Sequence, residues 1–401
     1  MPNFPRTDLA VEAEAIHRSA AAVTELPGVR AEETNRRGFS VTEVHVLDAA
    51  GENALCKPIG DYYTLALDPL LRREDDAFEN AAQTLAELLR GVLPLMPDAS
   101  VLVVGLGNRA ITPDAVGPDA IDSVMVTRHL REQLKAQQEA VHDRGWASLF
   151  TCNHDQPRVV TRWGDDSNEE NRVHSAKAFG MLIHLHRGTP YIYQGEELGM
   201  TGAHFTELSQ YRDLESINAY RQRVEEAKVQ SGESMMDSLA LFGRDNARTP
   251  MQWDGSKYAG FTAADAKTEP WLSVNPNHVE INAAAQFDDP DSVYAFYKKL
   301  VNLRHNSAVV SAGEWALVDD DDEQVYAFTR TLTNADGTAE RMLVAINLTG
   351  RHAALPKPVA DLLADGVSED RIILSTYDAI HSAKSLANGE LAGWEGVVVE
   401  L

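Results

Sequence analysis

The apolar positions of this chain follow three rhythms, and the changes between them divide it. In the first part, "VTEVHVLD" (residues 41–48) alternates apolar and polar residues and predicts a strand. "AFENAAQTLAELLRGVLPLM" (77–96) repeats its apolar residues at helical spacing instead. "VLVVGL" (101–106) is a short apolar run of the buried-strand kind, and "GPDAIDSVMVTRHL" (117–130) reads as a helix. "REQLKAQQEAVHDRGW" (131–146) is a polar helical stretch leading into a new strand, "ASLFTC" (147–152). Helix ("ENRVHSAKAFGMLIHLHRG", 170–188) and strand ("TPYIYQG", 189–195) follow, with Gly188, Thr189 and Pro190 as punctuation. An amphipathic helix comes later, "DSVYAFYKKLVNLRHNS" (291–307). Such an order predicts βα units of a parallel sheet or barrel.

Beyond residue 313 the rhythm shortens. "EWALVDD", "QVYAFTRTL", "RMLVAINLT", "RIILS" and "GVVVEL" are short β runs between turn clusters, which predicts an antiparallel β domain. The chain is therefore expected to be α/β plus all-β. An α/β unit spans 1–130, βα units span 131–308 and the β domain spans 309–401, with a seam near 131–141. Two βα units cannot close a barrel. The strands near 147–152 and 189–194 are thus expected to keep unpaired edges or apolar faces, with two outcomes open: the N-terminal α/β unit docks against them, or the exposed surface drives self-association.

Charge narrows the partners. The 36 Lys+Arg against 61 Asp+Glu give a formal charge of −25, which repels phosphate backbones and anionic bilayers. No nucleic acid and no membrane partner is expected, and no apolar stretch approaches 18 residues. The N-terminus has no charged-then-apolar leader pattern. Two cysteines, Cys56 and Cys152, make no disulfide framework, so a reducing, cytoplasmic setting is expected. "VDDDDE" (318–323) reads as a solvated hairpin turn rather than a metal site, and no metal or cofactor is expected.

Two stretches carry candidate chemistry. In "NHDQPR" (153–158) Asp155 stands at the end of a predicted strand beside His154, where an acid and an imidazole could hold a sugar, a metal or a proton. The alternative is structural: an acid here caps the N–H groups of a following turn. In "VLVVGLGNRAITPDAVGP" (101–118), Gly105, Gly107 and Ala110 fit a dinucleotide fingerprint. Pro113 would break the helix that motif requires, so nucleotide binding is not expected. Asp114 follows Thr112 and Pro113, an ordinary first helical turn with a capping hydroxyl and an acid.

The text surrounding these stretches is more specific. "NHDQPR", "GTPYIYQGEELGM" (188–200), "RDNARTPMQWD" (244–254), "EPWLSVNPN" (269–277) and "INAAAQFDDPDSVYAFYKKLVNLR" (281–304) occur in that order. Residues 132–401 thereby resemble the C-terminal half of α-glucosidases of the α-amylase superfamily, in the oligo-1,6-glucosidase and sucrose-isomerase branch. The resemblance implies the last two βα units of a (β/α)8 barrel, with Asp155 after the seventh strand at the face where barrel active sites lie. It implies that Asp155 hydrogen-bonds the sugar in subsite −1 and stabilises its transition state. His154 would touch the same sugar, and Arg244 would bind its non-reducing end. Glu196 and Glu197 are structural in that pattern. Retaining glycosidases need a nucleophile and an acid about 5–5.5 Å apart. In this family the nucleophile stands in a G-F-R-x-D context after strand four, and the acid follows strand five. Neither segment occurs here; the Gly-Arg-Asp at 243–245 belongs to "RDNARTP".

The first 130 residues resemble something else. "RTDLAVEA" (6–13), "KPIGDYYTL" (57–65), "LVVGLGN…TPDAVGP" (102–118) and "VTRHL" (126–130) are similar to the N-terminal third of the spore germination protease. That likeness implies a partial α/β protease-like unit, with Asp114 as one functional aspartate and a self-processing cut between Asp8 and Leu9. The family's second aspartate, in an A-I-D-A-L context, is not in the chain. The whole reads as the front of one enzyme joined to the back of another. By family content the function is retaining hydrolysis of α-glucosidic bonds in short oligosaccharides, expected to be undetectable in this chain. The alternatives are a spore-type endopeptidase fragment and a non-catalytic sugar-binding or scaffold protein.

Overall fold

The computed structural model describes residues 26–55, 57–66, 69, 77–92, 126–142, 144–228, 230–319 and 321–401. The chain divides into two compact units, Met1–Leu102 and Val103–Leu401. In the first, three antiparallel strands lie in the order β1 (Val29–Arg36), β2 (Phe39–Val46), β3 (Gly60–Leu65). The expected strand at 41–48 is β2, whose alternate residues Val44 and Val46 pack with Leu26 and Leu55. β1, "VRAEETNR", is largely exposed and charged and carries no apolar alternation. It pairs because Arg37 and Gly38, both at positive φ, form a two-residue turn whose twist suits a hairpin. Helix α1 (Ala49–Leu55) follows β2, and α2 (Ala77–Val92) is the expected amphipathic helix. The predicted strand at 101–106, the glycine fingerprint, Asp114, Asp8 and Leu9 lie outside the described residues, as does Cys56.

In the second unit the polar stretch forms α3 (Val126–Val141), and the expected boundary between 130 and 131 falls inside this helix. One side of it is held against the chain's C-terminal part. Leu130 and Leu134 enter the main core, and Arg131 donates to the carbonyls of Asp322 and Val325, the latter at 2.9 Å. The acidic 318–323 segment is a turn, as expected: Asp319 and Asp322 carboxylates accept backbone N–H groups within it. The expected strands at 147–152 and 189–195 are each only two residues long. β4 (Ser148–Leu149) and β5 (Thr189–Pro190) pair in parallel, and among the described residues their sheet has only these two strands.

Between them runs α4 (Glu169–Leu185), capped by the Asn168 side chain and opened by Glu169 and Glu170, which suit the helix dipole. Most of its residues are buried, so it is a core helix enclosed on all sides. Its approach to α5 (Val293–Asn306) is set by Gly180, where a Cβ would meet the Tyr297 ring at 2.7 Å. At its far end two arginines take the exposed carbonyls. Arg330 donates to Leu185 O (2.7 Å), and Arg304 to His184 O (2.7 Å), His186 O and Gly188 O.

Five C-terminal strands, β6 (Glu314–Leu317), β7 (Val325–Thr333), β8 (Ala339–Asn347), β10 (Ile372–Ser375) and β12 (Gly396–Glu400), match the expected short runs, whereas β9 (Ala353–Ala354) and β11 (Glu390–Leu391), which pair with each other, lie outside them. The five form one antiparallel sheet in the order β10-β12-β8-β7-β6. The sheet is covered on both faces. Tyr326, Phe328, Val344, Ile346 and Val398 face the core shared with α3, α4 and α5. Val325, Ala327, Leu343, Ala345, Val397 and Val399 face a second core with Val359, Leu363 and Leu386. Period-two alternation thus serves two cores rather than a core and solvent. No helix among the described residues is long and apolar enough to cross a membrane.

Replacing Gly180 by Ala sets helix propensity, which favours Ala by about 1 kcal/mol, against a collision with the buried Tyr297 ring. The collision should win. We expect a net loss of about 1–3 kcal/mol, read as a lower urea midpoint with an unchanged slope.

Candidate functional site

The loop leaving β4 is folded back on itself by short local bonds. The Cys152 thiol, whose pKa burial pushes up to about 12, accepts the Val159 N–H at 3.1 Å. Asn153 Oδ1 accepts the Asp155 N–H at 2.8 Å. The buried Arg158 guanidinium lies 4.9 Å over the Tyr193 ring and donates to Gln194 O, tying this loop to the chain leaving β5. The capping alternative for Asp155 does not hold. Asn153 makes the local side-chain acceptor bond, and the first helical turn after the loop, Val159–Arg162, has no side-chain cap.

Asp155 instead turns its carboxylate to two guanidiniums and an imidazole. Oδ1 lies 2.7 Å from Arg248 Nη2 and 3.5 Å from Arg244 Nη1, and Oδ2 lies 3.1 Å from His154 Nε2. Arg248 also donates through Nε to His154 O at 2.7 Å, fixing the backbone beside the acid. Arg244 grips Asp213 with two donors, Nη2 at 2.7 Å and Nε at 3.3 Å, and reaches Glu215 at 3.0 Å. This two-point fork fixes direction as well as charge. Burial alone would push the Asp213 carboxyl upward. The hydrogen bonds and charge of Arg244 outweigh it and hold Asp213 below the ordinary carboxylate range. Asp245, fully buried, accepts the N–H groups of Arg212 (2.6 Å) and Asp213 (2.7 Å), and so places Asp213 for Arg244.

The sequence-derived residues Asp155, His154 and Arg244 therefore lie in one cluster. Reading the sequence missed Arg248 and Asp213. The spacing of Arg244 and Arg248, four residues apart in "RDNAR", was the available signal. The His154 side chain is 70% exposed and that of Asp155 is 45% exposed, so the cluster is open to solvent. It offers carboxylate acceptors and fixed guanidinium donors on one surface, a combination that suits vicinal hydroxyls. Among the described residues no group of three or more His, Cys, Asp or Glu side chains could hold a metal ion.

Glu196 faces inward. Its carboxyl accepts from Thr151 Oγ1 (3.2 Å), Tyr297 OH (3.2 Å) and Tyr193 N (3.3 Å), bracing the β4 and β5 exits against α5. Burial raises its pKa to about 7 despite these donors.

Two family models match the chain. Residues 115–313 match the alpha-amylase catalytic domain, and residues 6–149 match the germination protease. The C-terminal two-thirds of the chain is similar in sequence to oligo-1,6-glucosidases and α-glucosidases. The oligo-1,6-glucosidase of Parageobacillus thermoglucosidasius is 41% identical over 272 residues, 68% of this chain and 45% of that protein. The alpha-glucosidase of Pediococcus pentosaceus is 50% identical over 207 residues, covering 52% of this chain and 36% of its own length. Among solved structures, the trehalose-6-phosphate hydrolase of Bacillus licheniformis superposes with a TM-score of 0.57 at 37% identity, over 68% of this chain and 46% of that one. The isomaltulose synthase of Klebsiella does so with a TM-score of 0.58 at 31% identity, over 70% and 50%. The chain spans about half the length of the curated relatives it matches. The two family matches overlap over residues 115–149, which contain α3.

The raised Glu196 pKa fixes the sign of a pH effect. The unfolded glutamate releases its proton near 4.5 and the folded one near 7. Between those values the folded state holds the extra proton, so this group's contribution to stability falls as pH rises. Glu196→Gln should remove that dependence. Relative to the parent, it should gain on the order of 3 kcal/mol between pH 5 and pH 8 in urea denaturation; an identical pH dependence in both proteins would refute the assignment.

Proposed function

We propose that Asp155, His154, Arg244 and Arg248 form the glucosyl-binding part of an α-glucosidase site in a (β/α) barrel of which β4-α4-β5 is the closing portion. The observation that carries this reading is the Asp155 carboxylate at the exit of β4, oriented by two arginines and open to solvent. Such a group accepts from sugar hydroxyls and stabilises positive charge developing at the anomeric carbon. Arg248 and Asp213 position it. The carboxylates of the cluster are engaged by arginines: Asp155 with both, Asp213 and Glu215 with Arg244. An arginine-paired carboxylate is a poor proton donor, so bond cleavage needs an acid from elsewhere. The reaction supported is retaining hydrolysis of terminal α-glucosidic bonds in short oligosaccharides. This chain by itself supplies binding and charge stabilisation without the nucleophile.

Purified chain should give no turnover of p-nitrophenyl-α-glucoside above the blank. Turnover that disappears in Asp155→Asn would overturn the assignment of roles. Isomaltose should bind in the millimolar range, because half a pocket offers few converging groups. Tryptophan fluorescence should follow the titration, weakened about tenfold or more by Arg244→Ala. The absence of any saturable, Arg244-dependent change would count against a sugar site.

The germination-protease match at 6–149 supports a second reading, self-processing between Asp8 and Leu9. With one aspartate of the family pair in the sequence, the cut should not occur. Intact-mass measurement of purified chain should show both residues retained after prolonged incubation, and loss of the first eight residues would restore the protease reading.

A further inference from the structure

A small cavity lies at the end of the β4–β5 pair opposite to Asp155. It encloses about 280 Å3 and is lined by Gln138, Glu139, His142, Arg187, Glu314 and Trp315. These residues come from the C-terminal end of α3, the link from α4 to β5 and the start of β6. Those of α3 and the link precede β4 and β5, whereas His154 and Asp155 follow β4. The cavity is therefore separate from the candidate sugar site.

Two indoles stand in this region, and they differ in what meets them. Trp146 already carries the Arg187 guanidinium, 5.1 Å from its ring centre. Trp315 packs against His186 (5.9 Å, 28°) and Phe328 (6.3 Å). Burial drives the His186 pKa to about 3, so the half-buried Trp315 ring reaches the cavity with a neutral imidazole behind it. The polar lining is one-sided. Gln138 Nε2 donates to Arg187 O at 2.9 Å and Arg187 Nη1 to His142 O at 2.6 Å, so these donors are engaged within the wall. Glu139 and Glu314 are exposed, and neither has an ion-pair partner among the described residues. What a ligand meets is an indole face and two carboxylates, beside the His142 ring.

A sugar needs donors as well as acceptors, and an anion would meet two acids in a chain of formal charge −25. An ammonium needs only acceptors and a π face, and Trp is the best such face. The volume lies just under the usual range for ligand cavities, about 300–1,000 Å3, so the ligand is compact. We propose that this cavity binds a small organic cation of the alkylammonium class, with its charged head on the Trp315 ring between Glu139 and Glu314.

The test is calorimetric titration of the full 401-residue chain with choline chloride. Its controls are the neutral isostere with carbon in place of nitrogen, and sodium chloride at equal ionic strength. We expect saturable binding of choline, binding of the isostere about tenfold weaker or less, and no saturable heat from sodium chloride. The double variant Glu139→Gln, Glu314→Gln changes exposed positions, so it should keep the parent circular dichroism and bind choline about tenfold more weakly. Asp155→Asn should leave choline binding unchanged. Failure of choline to saturate, equal binding of the isostere, saturable heat from sodium chloride, or undiminished binding by the double variant would each overturn the proposal. Loss of binding in Asp155→Asn would overturn it too, by moving the cation to the candidate sugar cluster.

Discussion

The buried Arg330 guanidinium at the end of α4 is the contact on which the second unit depends. Its side chain is fully enclosed, and burial lowers its pKa to about 9. What compensates it is the negative end of a helix. Arg330 takes Leu185 O and Gly313 O, while Arg304 takes the next carbonyls along. Four carbonyls at a helix end have no partner within the helix, and placing cations there satisfies hydrogen bonds and dipole together. His186 completes the joint: it bonds Leu182 O and Tyr326 OH, and burial drives its pKa to about 3, so it stays neutral beside the two cations. α4 is thereby locked to β7, and the chain leaving α4 enters β5 in a fixed direction.

That direction sets the candidate site. Glu196 and Arg158 transfer the position of the β5 exit to the β4 exit, through Thr151 and Gln194 respectively. Asp155 is then met by two arginines whose own places are fixed by Asp213 and the wholly buried Asp245. The polar groups form a chain of support from core to surface, and the outermost member is the one exposed to a ligand. A carboxylate held this way is fixed in orientation by guanidinium donors without being sequestered from solvent.

How far the sequence discloses this depends on whether a feature is periodic. The C-terminal strands and α4 and α5 are legible because apolar spacing survives burial on either side. β4 and β5 read longer than they are: an apolar run marks what wants burial, whereas a strand also requires a hydrogen-bonded neighbour. β1 is invisible to periodicity because a turn, not a buried face, makes it pair. At the site, Asp155, His154 and Arg244 are legible through motif resemblance. Arg248 and Asp213 are not: the four-residue spacing from Arg244 marks Arg248 only faintly, and the acid it meets lies 93 residues away. Asp114, Asp8 and Leu9 fall outside the described residues.

The helix that both family matches include, α3, is anchored at both ends. Along α3, Thr127, Leu130, Arg131, Leu134 and Gln138 are the buried positions, a helical pattern that gathers them on one side. Thr127 bonds Gln324 O and Gln138 bonds Arg187 O, so both ends of that side are anchored to the later part of the chain. Inserting or deleting one residue inside the helix would rotate everything on one side of the change by about 100°. The angular phase of the helix between these two anchors is therefore fixed to the residue.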